Sequence, residues 1–274
     1  MNIQNARILL TGATGGIGQA LAVELASQGA HLALVGRHPG KLQELLHTLS
    51  GMPGERISIV ADLENANAPQ GVVDTAIQQL GGLDILINNA GVMDFIQFED
   101  QSPERIAQII QTNVTAPLLL ARAVVPHFLT RQQGQLVNIG SIFGSIGFPH
   151  YASYCASKFA MRGFSQSLRR ELVDTPVRVT YIAPRAVDTP LNDATTTHML
   201  RAANISLDAP EDVARQIVCA IARECEEYYI GQPESFFAWL NSALPKLVNI
   251  GMKKQARLAA PFVNRHSHSL GEIQ

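Results

Sequence analysis

Tyr154 and Lys158 stand four residues apart in the run Tyr154-Cys155-Ala156-Ser157-Lys158. If the segment is helical, that spacing puts the phenol and the ammonium on one face. The chemistry such a pair can do is proton transfer. A phenol ionises near pH 10 in water, too weak an acid for quick exchange at neutral pH. A cation held beside it favours the phenolate and moves the group toward working range. Chance also produces this spacing on solvated helix faces, so the pair draws its meaning from its surroundings.

The second chemical signal is Thr11-Gly12-Ala13-Thr14-Gly15-Gly16-Ile17-Gly18, which follows a short apolar run and opens a helical pattern. Glycines there permit a tight turn, let backbone approach a pyrophosphate, and bring helix and strand together over an anion-attracting helix N-terminus. Gly12, Gly16 and Gly18 fit G-x-x-x-G-x-G, while Gly12, Gly15 and Gly18 fit G-x-x-G-x-x-G. At the end of the next apolar run, an acidic residue would hydrogen-bond the adenosine ribose and repel a 2′-phosphate. Gly36 takes that place and Arg37 follows. A guanidinium pairs well with a phosphate, so NADP(H) is expected over NAD, the alternative being that Arg37 is a solvated loop charge.

These residues need a frame. Ile8-Leu10, Leu32-Val35, Ile57-Val60, Ile85-Ile87, Leu136-Ile139, Val177-Ile182 and Tyr228-Ile230 read as strands buried on both faces. Helical patterns lie between them near 17–28, 40–49, 70–80, 103–130, 151–173 and 210–224. Strands without polar alternation, separated by helices, imply an α/β doubly wound Rossmann fold with a mostly parallel seven-stranded sheet. Residues 1–231 form the expected dinucleotide-binding catalytic domain, with 185–209 as a substrate lid. Residues 232–274 form a helical extension packed on it.

At 274 residues, one large domain with a substantial core is expected. A net charge of −2 and the lack of a Lys/Arg cluster argue against nucleic-acid binding. Cys155, Cys219 and Cys225 have no metal-ligand spacing, and no metal is expected. The first residues lack a signal-peptide pattern, no run of about 18 consecutive apolar residues exists, and a cytoplasmic protein is the default expectation.

Further motifs resemble the classical short-chain dehydrogenase/reductase family. The first glycine spacing is similar to its classical branch and the second to its extended one. Asn88-Asn89-Ala90-Gly91 after the fourth strand and the chain length favour the classical branch. Asp62 and Leu63 match the segment that meets the adenine, and Asn113 in Thr112-Asn113-Val114 matches the helix asparagine of the catalytic tetrad. Ser141 lies 13 residues before Tyr154, the family's usual separation of serine and tyrosine. Pro184 to Thr189, with Val187 between, resembles the segment beside the nicotinamide, except that Arg185 replaces the family's glycine. Arginine there reads as a tolerated loop residue or a contact for an acidic substrate.

The resemblance implies a small-molecule carbonyl or secondary alcohol as substrate, and a homodimer or homotetramer built on the long helices. It makes Tyr154 the general acid in reduction and the base in oxidation, Lys158 its pKa-lowering neighbour that also bonds the nicotinamide ribose, Ser141 the group that bonds the carbonyl oxygen, and Asn113 the holder of a proton-relay water, with Tyr154 and Lys158 both beside the cofactor. Ile142, Phe143, Ile146, Phe148, Pro149, His150, Met93 and Phe95 then line a mainly apolar substrate pocket. Tyr151 has Cys155, not lysine, four residues on, and Cys155 reads as a small buried residue. His266 and His268 read as a frayed terminus. The stripe Phe236, Phe237, Leu240, Leu244, Leu247 and Val248 has three readings: closing over the pocket, making a subunit contact, or lying on a membrane surface. Two other functions stay open, an NAD-preferring alcohol dehydrogenase and a cofactor-sensing binding protein without chemistry.

Overall fold

The computed structural model describes residues 1–192, 194–202 and 206–263. Among them Arg7–Thr11 (β1), His31–Gly36 (β2), Arg56–Val60 (β3), Ile85–Asn88 (β4), Gly134–Ile139 (β5), Val177–Pro184 (β6) and Glu227–Ile230 (β7) form one sheet. Its order is β3-β2-β1-β4-β5-β6-β7, and every pairing is parallel. The order reverses between β1 and β4, which opens a crevice beyond their carboxyl ends, where ligands bind in such sheets.

The two faces of the sheet take alternate residues, as the strand pleat requires. On one face Ile8 and Leu10 pack with Leu21 and Leu25 of α1 (Gly16–Ser27), Leu42 of α2 (Pro39–Thr48) and Ile217 of α8 (Pro210–Ala222). On the other Leu9 and Leu86 pack with Val73 of α3 (Ala68–Leu80) and with Leu120, Val124 and Phe128 of α5 (Ala116–Arg131). α6 (Ala152–Glu171) joins that second layer through Leu168 and presents the catalytic candidates at its start.

The helix expected over 103–130 is present as Pro103–Arg131, but it is not regular throughout. α4 (Pro103–Ile110) gives way to a wide π-turn at Gln111–Thr115 before α5 begins. Pro117 supplies a reason: it has no N–H for the carbonyl four residues back, that of Asn113, and its ring crowds that carbonyl. The segment Pro103–Arg131 is long and apolar enough to cross a membrane by length and composition, with mean hydropathy 1.2. Ile109, Leu120, Val124 and Phe128 are nonetheless fully buried within the fold, which marks a core helix.

The excursion 185–209 contains α7 (Ala194–Ala202), and an isolated bridge between Val187 and Asp208 ties its two ends. The extension folds as α9 (Glu234–Ala243) and α10 (Pro245–Ala259). Ala238 and Val248 pack on Ile142 and Ile146, while Ala259 and Val263 join Phe95, Phe148, Tyr151 and Leu200. His266 and His268 lie outside the described residues.

Candidate active site

The glycine turn is built around one threonine that sequence reasoning passed over. Thr11 Oγ1 accepts from the backbone N–H of Asn89 (3.0 Å) and of Ala90 (3.2 Å) and donates to the Ile87 carbonyl (3.3 Å). Asn89 Nδ2 donates to the Thr11 and Gly12 carbonyls at 3.0 and 3.2 Å. The Asn89-Ala90-Gly91 segment thus clamps the turn at the sheet's switch point. Gly12 has φ +63°, and a Cβ there would come within 2.7 Å of Ala90 Cα. A Cβ on Gly18 would overlap the Gly12 carbonyl oxygen, so the turn can pack on α1 only without one. Gly15 caps α1 with no side-chain hydrogen bond, and the first turn holds no acidic residue. The N–H groups of Gly16, Ile17 and Gly18 therefore have no intrahelical acceptor and suit an anion such as a pyrophosphate. Thr189 sits directly over Gly16, where a Cβ would meet it.

At the adenosine end, a Cβ on Gly36 would come within 3.3 Å of Thr14 Cγ2 and Oγ1. Arg37 is half-exposed and pairs with Glu64 (Nη1–Oε1 3.1 Å), which also accepts from Gln108 Nε2 (2.6 Å). That carboxylate was not anticipated. An exposed ion pair contributes little, so the guanidinium can exchange it for a phosphate. Asp62 caps the Glu64 N–H (3.0 Å), and Leu63 is buried beside it.

Ser141, Tyr154, Lys158 and Asn113 converge beyond the ends of β4 and β5. Lys158 Nζ donates to the Ile139 carbonyl (3.0 Å) and lies 5.6 Å from the Tyr154 ring centroid. Asn113 Oδ1 accepts from Val92 N–H (2.8 Å), while its Nδ2 donates to the Val92 carbonyl (2.8 Å) and to Ser157 Oγ (3.0 Å). Ser141 Oγ accepts from Phe143 N–H (3.1 Å), and the Tyr181 hydroxyl props the Ser141 carbonyl from below (3.3 Å).

The electrostatics differ from the sequence expectation. Burial pushes the Tyr154 phenol up to about 12, and a hydrogen bond with Ser141 only partly offsets it. Burial also brings Lys158 down to about 8. In the chain alone, dehydration outweighs the cation's pull on the phenol. Tyr154 is a protonated donor across the working pH range, and Lys158 is the group that titrates within it. A depressed lysine loses its charge sooner as pH rises, so kcat/KM for a nicotinamide cofactor, which reports free-enzyme groups, is expected to fall above about pH 8. Lys158→Met should give a low, level profile. A wild-type profile that stays flat through this range would sink the assignment.

A cavity of about 530 Å³ joins these parts. Ile17, Val187 and Thr189 line it on the glycine-turn side, Ser141 and Tyr154 at its floor, and Phe143, Ile146 and Phe148 along the wall. Phe237, Leu240, Leu247, Val248 and Met252 of α9 and α10 also line it, so the extension covers the pocket. Of the expected lining residues, Phe95, Pro149 and His150 do not reach the cavity: Phe95 is buried against Tyr151, His150 packs edge-on to Phe95, and Tyr151 faces the cavity in their place as an aromatic wall. Cys155 is buried, with its thiol pushed up by dehydration. Among the described residues no cluster of potential ligands could hold a metal.

Arg185 corrects the expectation most plainly. Its guanidinium bonds Asp208 in a two-point contact (Nε–Oδ2 2.8 Å, Nη2–Oδ1 2.6 Å). Nη1 adds the Gln232 carbonyl (2.8 Å) and Glu234 Oε2 (3.1 Å). It is neither a loose loop residue nor a free cation awaiting an acidic substrate. It pins the end of the lid and the start of α9 to the end of β6.

The model of the short chain dehydrogenase family matches residues 6–200. Dehydrogenase/reductase SDR family member 7B of Bos taurus is 31% identical over 268 residues, 93% of this chain and 82% of that protein. Nodulation protein G of a Rhizobium species is 36% identical over 188 residues, 68% of this chain and 75% of that one. A short-chain dehydrogenase/reductase from Burkholderia phymatum, solved in complex with NAD, superposes with TM-score 0.83 at 24% identity, covering 90% of this chain and 96% of its own. A putative short-chain alcohol dehydrogenase from Sinorhizobium meliloti does so with TM-score 0.76 at 28% identity, covering 82% and 94%.

Proposed function

The chain belongs to the classical short-chain dehydrogenase/reductase family of oxidoreductases that bind nicotinamide dinucleotides, and from that premise we propose that it reduces an apolar carbonyl, or oxidises the matching secondary alcohol, with NADP(H). The observation that carries this reading is the single cavity running from the uncapped α1 N-terminus to Ser141 and Tyr154. Gly12, Thr14, Gly15, Gly16, Ile17 and Gly18 would hold the pyrophosphate, with Asp62, Leu63, Asn89, Ala90 and Gly91 bordering the adenosine half. Pro184, Val187 and Thr189 would flank the nicotinamide, and Lys158 its ribose. The dinucleotide, when bound, supplies the hydride.

The chain's own residues handle the proton. The Tyr154 phenol gives its proton to the substrate oxygen, and the Ser141 hydroxyl donates a hydrogen bond to that oxygen as charge grows on it. Lys158, held by the Ile139 carbonyl, keeps a positive charge behind the phenol and favours its transient phenolate. Pro117 offers the Asn113 carbonyl no N–H four residues on, which makes that carbonyl a candidate acceptor for a water on the way from Lys158 to solvent. The walls, mainly Ile142, Phe143, Ile146 and Phe148, suit an apolar substrate and keep bulk water from the transfer.

Preference for NADP(H) rests on Gly36 and Arg37: no carboxylate ends β2 to repel a 2′-phosphate, and a guanidinium follows that can pair with one. Gly36→Asp should reverse the preference, since a carboxylate there meets the ribose hydroxyls and opposes the 2′-phosphate. An effect of about tenfold or more in relative Kd, measured by cofactor titration, is expected. Tighter NADH than NADPH binding by the unaltered chain would overturn the reading and favour the NAD-dependent alternative. The reaction is tested with a panel of apolar ketones and aldehydes, followed by loss of NADPH absorbance. Cofactor binding with no turnover across the panel would favour the non-catalytic alternative. Self-association is proposed through α6, whose outer face exposes Ala156, Phe159, Ala160 and Gly163, and is checked by light scattering.

A further inference from the structure

The extension differs from the rest of the molecule in both charge and surface chemistry. From residue 235 to 271 there is no Asp or Glu, yet Lys246, Lys253, Lys254, Arg257 and Arg265 fall in this stretch. The other residues carry the remaining 16 of the 21 cationic side chains and all 23 acidic ones. This stretch is thus basic in an otherwise acidic chain, and Lys246, Lys253 and Arg257 are exposed on α10. Glu234, at its edge, is already paired with Arg185.

The same stretch leaves its apolar side chains in solvent. Phe236, Trp239, Leu244, Ile250 and Leu258 are between 41% and 67% exposed. On α10, Lys246, Ile250, Lys253 and Arg257 follow one another at helical spacing and are all exposed, so cations flank an apolar centre on one face. Phe237 and Leu247 are exposed and also line the substrate cavity. The outer apolar surface is therefore continuous with the cavity wall.

Resting on the reading that this cavity takes an apolar carbonyl or alcohol, we propose that α9 and α10 dock the enzyme on an anionic lipid surface and that its substrates are lipids dissolved in that surface. Apolar side chains that a monomer would otherwise leave in water enter the acyl boundary, and the flanking cations meet the headgroups. Trp239, the chain's only tryptophan, stands where an amphipathic ring prefers a wet–apolar boundary. A second copy of this chain is a poorer occupant. A two-fold contact would set the same basic patch against itself.

The test uses the full chain and the emission of Trp239, which reports its own surroundings without interference from another indole. Vesicles of phosphatidylcholine with phosphatidylserine should shift the emission to the blue and carry the protein into the pellet. Vesicles of phosphatidylcholine alone should do so weakly, and added salt should release the protein. Removing each cation should weaken binding about fivefold, so Lys246→Glu/Lys253→Glu should lose well over tenfold. Phe236→Ser/Ile250→Ser should also lose vesicle binding, while both variants turn over a short water-soluble ketone at the unaltered rate.

No shift on any vesicle, or equal and salt-insensitive binding to neutral ones, would overturn the proposal. So would a concentration-dependent dimer in ultracentrifugation that Phe236→Ser/Ile250→Ser abolishes, which would give this surface to a second copy. Vesicle binding needs no turnover. Turnover without vesicle binding therefore strikes this inference alone. Vesicle binding without NADPH-dependent turnover strikes the functional reading instead.

Discussion

Tyr154→Phe is expected to lower kcat about 1000-fold, within the range that loss of a positioned general acid produces, while Kd for NADPH stays unchanged. Removing one hydroxyl from a buried ring that keeps its contacts with Phe143 and Tyr151 leaves the cavity's shape intact. The loss therefore belongs to the transition state and not to binding. Ser141→Ala should cost less, about 100-fold, because Tyr154 still delivers the proton. Stopped-flow measurement of a single turnover separates the chemical step from product release. Equal single-turnover rates for Tyr154→Phe and the unaltered chain would remove Tyr154 from the mechanism.

The second large effect is expected far from the proton transfer. Arg185→Ala leaves the Asp208 and Glu234 carboxylates facing each other with no cation between them. Leaving two part-buried carboxylates without their partner costs about 1–3 kcal/mol, and here the cost falls on the lid and on α9. Hydrogen exchange should quicken across 206–259 and stay unchanged in β1, β4 and β5. KM for an apolar carbonyl should rise about tenfold or more as the cap loosens, with kcat nearly retained. Arg185→Lys should recover little, since an ammonium cannot make the two-point contact with Asp208 and still reach Gln232 and Glu234. If kcat fell with KM unchanged, Arg185 would belong to the chemistry and not to the positioning of the cap.

The frame was legible because its signals are local. Runs such as Leu32–Val35 are apolar at every position, which suits only a strand covered on both faces, and they match the strands within a residue or two. Gly12 and Gly18 are readable because a turn over a helix N-terminus tolerates no Cβ at those points. Tyr154 and Lys158 share a helix, so their common face follows from spacing alone.

What escaped depends on distance along the chain. Arg185 meets partners 23 and 49 residues away, and no local pattern marks Asp208 or Glu234 as its acceptors. Glu64 reaches back 27 residues to Arg37. Thr11 looks like a strand end until β4 is laid beside β1. The direction of the Tyr154 shift was also hidden, because it depends on how completely the pocket excludes water. The π-turn left one marker, Pro117 four residues after Asn113, which amphipathic periodicity does not register.

That turn also makes the active site sensitive to chain length. A π-turn holds about one residue more than the α-helix it interrupts, so deleting one of Gln111, Thr112, Val114 or Thr115 would tighten the backbone there. The α4 and α5 flanks would keep nearly the same facing, while the residues inside the turn would move to new positions around the axis. Asn113 would leave Val92 and Ser157, although no residue of the tetrad had been replaced. At this point the protein encodes its site in the number of residues as much as in their identity, and a lineage of such chains could vary the turn's outward side chains freely while its length stayed fixed.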